Sequence, residues 1–337
     1  MRILYGVQAT GNGHISRARA MEQQLRQAGV TVDFLFSGRP AEQFFDMQQF
    51  GRYQLRRGLT FISQAGRVNY WQSAKQASLR ELWRDIRSLD VSSYDLVLTD
   101  FEPVTAWAAQ RQQKTCIGIG HQYAFLQPIP MENASLLSHN IFRHFAPAKF
   151  SLGLHWHHFN QPILPPIIDL PKIQSTLVPK QVLVYLPFED QQQVMRLLTP
   201  LTDFTFSIYG PGLTIGTYGH IRTQPPSLQA FKTDLLQSEA VLSNAGFELI
   251  SEALQLQKHI LVKPLQGQME QQSNALALTQ LKLASRANTL STKIIAEWLN
   301  GPRVANNIQY PNVAAAICDW LLQDTPDQAQ RLVKALW

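Results

Sequence analysis

Five prolines crowd into the twenty residues from Gln161 to Lys180: Pro162, Pro165, Pro166, Pro171 and Pro179. Such density disfavours helix and central strand and favours an extended connection. It cuts a chain of 337 residues into two parts, each the size of an ordinary domain. The same rhythm runs through both. In the first part, strand-like runs at 3–7, 32–36, 96–99, 115–119 and 150–154 are separated by helical patterns. Ile15, Ala18, Met21, Leu25 and Ala28 recur at helical spacing, Gly29 closes that segment, and 73–89 reads as another helix. In the second part, strands at 182–186, 204–209, 240–242 and 260–262 alternate with helices at 189–198, after Ser227, at 247–256 and at 269–281, and helices fill the tail. Strands separated by helices imply parallel sheets with right-handed crossovers. The predicted class is α/β, with two doubly wound Rossmann-like domains facing across a cleft. Their expected spans are 1–160 and 181–337, joined by the proline-rich linker 161–180.

Composition narrows what such a chain does. With 45% hydrophobic and 16% charged residues it is globular rather than disordered. Two cysteines, Cys116 and Cys318, make no disulfide framework and suggest a reducing, cytoplasmic setting. The chain starts directly on a strand without the basic, apolar and small-residue series of a secretory leader. The uncharged stretch 150–168 carries three histidines and three prolines, which a membrane-spanning helix would not. Charge is unevenly divided. Through Asn160 there are 17 basic and 11 acidic residues; from Gln161 onward there are 13 of each. The first part therefore carries the whole net charge of +6, which suits an anionic partner. No basic run is interleaved with aromatics, so nucleic acid is not expected.

Ligands of doubly wound sheets bind beyond the carboxyl ends of the strands. After the first strand comes Gly11-Asn12-Gly13-His14-Ile15-Ser16, a glycine turn that opens a helix. Ser16 replaces the third glycine of a dinucleotide fingerprint. The second strand ends in Ser37-Gly38-Arg39, where an NAD site would offer a carboxylate, so a dehydrogenase reading is weak. His14, at a helix N-terminus on the rim, suits a general base. Asp100, at the end of a later strand, is the carboxylate that would orient it; its alternative role is a helix N-cap. Asp100-Phe101-Glu102 is also read against the acidic metal motif of single-domain sugar transferases, and the two-part layout opposes that. His155-Trp156-His157-His158 lacks a carboxylate or cysteine companion, so no metal site is expected there. His121 follows another strand and is a candidate for the acceptor side, with Gly13, Arg17, Arg39 and Glu102 around the same rim.

The second part holds the stronger signal. Ser243, Asn244, Ala245, Gly246 and Phe247 form a small-residue turn from strand into helix, which would aim backbone N–H groups at a diphosphate. Glu252, about one and a half turns into that helix, is placed to take two ribose hydroxyls and is expected to face an open cleft. A second polar loop, 264–275, opens another helix on the same rim and brings Glu270 with Gln271, Gln272 and Asn274; the amides of the last three suit a neutral sugar.

The tract 243–275 resembles the donor-binding signature of two-domain, GT-B type glycosyltransferases. It is most similar to the MurG-like group, which uses UDP-linked sugars, and to relatives classed only as glycosyltransferases. Gly11-x-Gly13-His14, Ser37-Gly38-Arg39, Asp100-Phe101-Glu102-Pro103 and Val184-Tyr185-Leu186-Pro187-Phe188-Glu189-Asp190 match the latter, and the likeness spans nearly the whole chain. The resemblance implies that Glu252 holds the nucleotide ribose, that Gln271 and Gln272 contact the donor sugar, that 243–247 lies at the phosphates, and that His14 stands near the acceptor. The first loop is shorter than the MurG pattern, and the second donor loop is one residue shorter. Together these readings predict metal-independent, inverting transfer of a sugar from a nucleotide diphosphate, UDP foremost, to a hydroxyl. The nucleotide sugar is a substrate and no cofactor is required. The acceptor is expected to be anionic or lipid-linked, with peripheral contact to the inner face of a membrane. The alternatives are a UDP-sugar 2-epimerase, which would need more acid and base groups around the sugar, and a non-catalytic nucleotide-sugar sensor.

Overall fold

The computed structural model describes residues 1–59, 63–64, 67–68, 79–171, 175–303, 307–323 and 329–337. Two seven-stranded sheets organise it. In the first, β1 (Arg2–Gln8), β2 (Thr31–Ser37), β3 (Tyr53–Arg56), β6 (Leu96–Asp100), β7 (Cys116–Gly120), β8 (Phe150–Leu154) and β9 (Ile163–Leu164) run parallel in the order β3-β2-β1-β6-β7-β8-β9. A two-residue ladder, β4 (Ser63–Gln64) with β5 (Arg67–Val68), lies apart. The central strands read as near-continuous apolar runs because helices cover both faces. Ile3, Leu4, Tyr5, Val7, Val97 and Leu98 are fully buried.

The helices between these strands are α1 (Asn12–Gln27), α2 (Leu79–Ser88), α3 (Pro103–Arg111) and α4 (Leu136–His144). Gly29 follows α1 at φ +73°, the left-handed conformation that closes a helix and that glycine adopts without strain. Of the helix expected at 73–89, the part from Leu79 is α2; the rest lies outside the described residues.

The second sheet contains β10 (Gln181–Tyr185), β11 (Thr205–Tyr209), β12 (Gly216–Tyr218), β13 (Ile221–Gln224), β14 (Ala240–Ser243), β15 (His259–Val262) and β16 (Ser285–Arg286), in the order β12-β13-β11-β10-β14-β15-β16. Only the β12–β13 pair is antiparallel. β3, β16 and this hairpin, which turns at Gly219 with φ +62°, are not legible in the sequence, because the strands are too short to show a period. Its helices are α5 (Gln191–Leu198), α6 (Leu228–Gln237), α7 (Phe247–Gln255), α8 (Met269–Gln280) and α9 (Thr292–Asn300), with α10 (Val313–Gln323) and α11 (Ala329–Leu336) in the tail.

Two features depart from the simple division. Within the proline-rich connection, Ile163 and Leu164 add a seventh strand to the first sheet, at an edge where neighbouring prolines cost no ladder hydrogen bond. The tail, assigned from sequence to the second part, packs on the first: α10 lies against α1, α11 against β9, and the Trp337 indole donates to the Ile163 carbonyl at 2.7 Å. One apolar cluster consequently runs from Tyr5, Met21 and Phe36 through Ile317 and Trp320 to Phe247 and Ile250.

Candidate functional site

Strand order reverses between β1 and β6 in the first sheet and between β10 and β14 in the second, and crevices open at such switch points. The register sets Val7 beside Asp100, and the turn after β1 starts α1 with Gly11 as an N-cap that offers no side chain. His14 and Asp100 therefore meet: His14 Nδ1 lies 2.7 Å from Asp100 Oδ1. An ionised carboxylate only accepts, so Nδ1 carries the proton and Nε2 is left as the basic nitrogen. Asp100 is fully buried and doubly held by Arg17, whose Nε and Nη2 donate at 2.7 and 2.5 Å. Burial works against its charge, but Arg17 and His14 outweigh burial and keep its pKa below the usual carboxylate value.

Glu102, expected on the acceptor side, is instead the cap of α3. Its carboxylate accepts from the Val104 and Thr105 amides at 2.9 and 2.7 Å, and from the Ser37 and Thr105 hydroxyls at 2.7 Å each. It is fully buried, and burial raises its pKa. The helix cap is thus Glu102, which frees Asp100 for His14. Arg39 reaches Asn12 Oδ1 at 2.9 Å and lies over the Phe44 ring, with burial lowering its pKa to about 10.

The two units meet directly. His121 is buried, with Nδ1 2.8 Å from the Leu154 carbonyl, Nε2 2.7 Å from Asn274 Oδ1 and its ring stacked on Phe247 at 3.9 Å. A residue expected on the acceptor side thus touches two expected on the donor side. Burial lowers the pKa of His121, and that of His155 further. The Trp156 indole donates to Ser251 of α7 at 2.8 Å, and Arg286 forms a two-pronged pair with Glu132 at 2.5 and 2.8 Å. Arg17 reaches past Gly13 to Glu248 in the first turn of α7; nothing in the sequence pairs those two.

Along the second rim, Gly246 caps α7 without a side chain, and a methyl built on it meets nothing within 4 Å. The helix end is therefore open to an anion. Ser243 is buried, its hydroxyl donating to the Asn244 carbonyl at 2.8 Å. Asn244 donates to the Lys263 carbonyl at 3.0 Å and Glu189 at 3.3 Å, and its own side-chain oxygen has no partner among the described residues. Lys263 and Glu189 pair at 2.5 Å on the wall of a cavity of about 230 Å³ whose lining includes Gln266, Asn288 and Thr289. Gln271 points inward and accepts from the Leu265 amide at 2.9 Å, shaping the loop, while Gln272 reaches Asn133 at 3.2 Å. Glu270 also faces the first unit, accepting from Gln122 at 3.2 Å.

Glu252 does not face an open cleft. It is 3% exposed, 2.5 Å from Lys232 Nζ and 3.2 Å from the Ser16 hydroxyl, which also donates to Asp169 at 2.9 Å. Burial pushes its pKa up to about 7; Lys232 opposes the shift, and Asp169 adds to it. The sequence could not show this, because Ser16, Asp169 and Lys232 come from three distant segments. Among the described residues no group of three or more histidine, cysteine or acidic side chains is arranged to hold a metal ion.

Two facing α/β units with parallel-dominated sheets and reactive groups on both inner rims define the GT-B class of glycosyltransferase. The chain belongs to glycosyl transferase family 1, whose model matches residues 1–301, and it is a transferase. Solved structures of similar fold include SnogD from Streptomyces nogalater, 16% identical over 99% of this chain and 98% of its own, with a TM-score of 0.56. MurG of Acinetobacter baumannii is 13% identical over 100% and 99%, TM-score 0.55. VinC, solved in complex with DTDP, is 12% identical over 100% and 96%, TM-score 0.54. No curated protein sequence matches the chain.

Proposed function

We propose that this glycosyltransferase moves a sugar from a nucleotide diphosphate, with UDP as the first candidate, to a hydroxyl with inversion at the anomeric carbon. The observation that carries this reading is the His14–Asp100 pair at 2.7 Å, set one residue from the Gly13 contact with the open end of α7. His14 Nε2 removes the acceptor proton as its oxygen attacks. Asp100 holds the imidazole in one tautomer and stabilises the imidazolium. The diphosphate leaves toward the Ser243–Phe247 turn, and the positive N-terminal end of α7 stabilises its charge without requiring a metal. Glu252 takes the ribose once the nucleotide displaces it from Lys232. The DTDP bound to VinC makes the thymidine diphosphate series the next candidate. The test is calorimetric titration with UDP and DTDP, followed by turnover of the matching nucleotide sugar with and without EDTA and assignment of product configuration. Retention, or loss of activity in EDTA, overturns the inverting, metal-independent form.

The acceptor side supports a membrane-proximal substrate. No helix among the described residues is long and apolar enough to cross a membrane. On α2, however, Leu79 is 60% and Trp83 48% exposed, one turn apart, among Arg80, Arg84 and Arg87. An apolar pair ringed by arginines suits an anionic bilayer surface. Liposome sedimentation should show binding that requires anionic lipid, weakens with salt, and drops on Trp83→Ser. Binding indifferent to all three returns the basic charge to ordinary solvation.

A further inference from the structure

Arg17 is only 1% exposed, yet its guanidinium serves both units. One edge holds Asp100, and Nη2 also lies 3.1 Å from His14 Nδ1. The remaining nitrogen, Nη1, pairs with Glu248, whose helix belongs to the second sheet. Gly13 makes that approach possible, because a methyl at this position would collide with the Glu248 carboxylate. Other ionisable groups near Arg17 are Tyr5 and Glu270, and His121 feels both Arg17 and Glu270. Asp100 Oδ1 is shared: His14 and Arg17 both donate to it. Without a partner for Nη1, a buried guanidinium keeps an unpaired donor and gains by turning further onto Asp100. That turn takes from His14 the oxygen that orients it.

Resting on the His14 base reading, we propose that Glu248 is a positioning residue: by reaching across the cleft over Gly13 to hold Arg17, it leaves Asp100 free to orient His14 only while the two units are together. The base is then complete only in the closed enzyme, after the donor-binding helix has docked. A base assembled by closure spares the donor from premature attack by water in the open state.

Two readouts test it. The first is the low-field proton of His14 Nδ1 in the NMR spectrum of the full chain with UDP added, assigned by its absence in His14→Ala. Glu248→Gln and Gly13→Ala should broaden or shift that resonance, and Glu248→Asp should preserve it. The second is turnover of UDP-glucose and UDP-N-acetylglucosamine, followed as UDP release with water as acceptor. Glu248→Gln should lower kcat by about tenfold, part of what a general base contributes, with KM within about twofold. In a His14→Ala background the same change should cost nothing further, which a merely structural contact would not show. An unchanged His14 proton in Glu248→Gln, or an undiminished further loss in the His14→Ala background, overturns the proposal. Full activity of His14→Ala instead brings down the base assignment, so the two failures are distinguishable.

Discussion

Two buried carboxylates touch the first turns of α1, Asp100 from β6 through His14 and Arg17 and Glu252 from α7 through Ser16, and they differ in charge balance. Asp100 is held by two nitrogens of Arg17, whose third pairs with Glu248, and by His14, and its pKa is held low although burial opposes this. Glu252 shares the single lysine Lys232 with Asp169, and burial raises it to about 7. Both are under 5% exposed. Depth alone therefore does not set the protonation state: Asp100 accepts from two Arg17 nitrogens and His14, whereas Glu252 lies beside a second carboxylate, Asp169, at the same lysine. The first arrangement suits a permanent anion beneath a base. The second suits a carboxylate that releases its lysine when ribose hydroxyls arrive.

The largest effect that would sharpen this contrast is at the first cluster. His14→Ala should reduce turnover about a hundredfold or more with UDP affinity unchanged, and Asp100→Asn should give a smaller loss of the same kind. Single-turnover kinetics with calorimetry as the binding control checks both. Equal loss of UDP affinity would make the cluster structural.

At the second cluster, Glu252→Ala should weaken UDP by at least about tenfold, since each charge-assisted bond to ribose contributes about 1.5–3 kcal/mol. Unlike a carboxylate on an open surface, this one leaves Lys232 short of a partner, so thermal stability should also fall. Glu252→Gln should keep the packing and lose the affinity. Wild-type affinity in a folded Glu252→Ala variant removes Glu252 from the donor site.

The smallest effect is in the pH dependence, where the two carboxylates have opposite signs. Glu252 is raised from 4.5 to about 7, so the folded state binds its proton more tightly and stability falls as pH rises through that interval. The expected size is on the order of 1–3 kcal/mol. Asp100 is lowered from 3.8, so its contribution is present above that value and is lost as pH falls through the lower folded pKa. Urea unfolding from pH 3 to 8 should show the first slope disappear in Glu252→Gln and the second in Asp100→Asn. Identical profiles would mean that both carboxylates are equally compensated.

The sequence by itself determined the two α/β units, most strand positions, the turn into α7 and the facing of His14 by Asp100. Each follows from local period or from the rule that parallel strands end on one rim, which needs no knowledge of distant contacts. It misjudged Glu102 and the setting of Glu252, and it could not see the Arg17–Glu248 pair or the tail folded back on α1. A glutamate before Pro103 reads alike as a rim acid or a helix cap until Ser37 and Thr105 close around it. Glu252 reads as an exposed helix residue until Lys232, Ser16 and Asp169 converge from three segments. Those identities depend on which surfaces of the two units touch, and only tertiary packing decides that, because burial and pairing are properties of the assembled interface and not of any single stretch of chain.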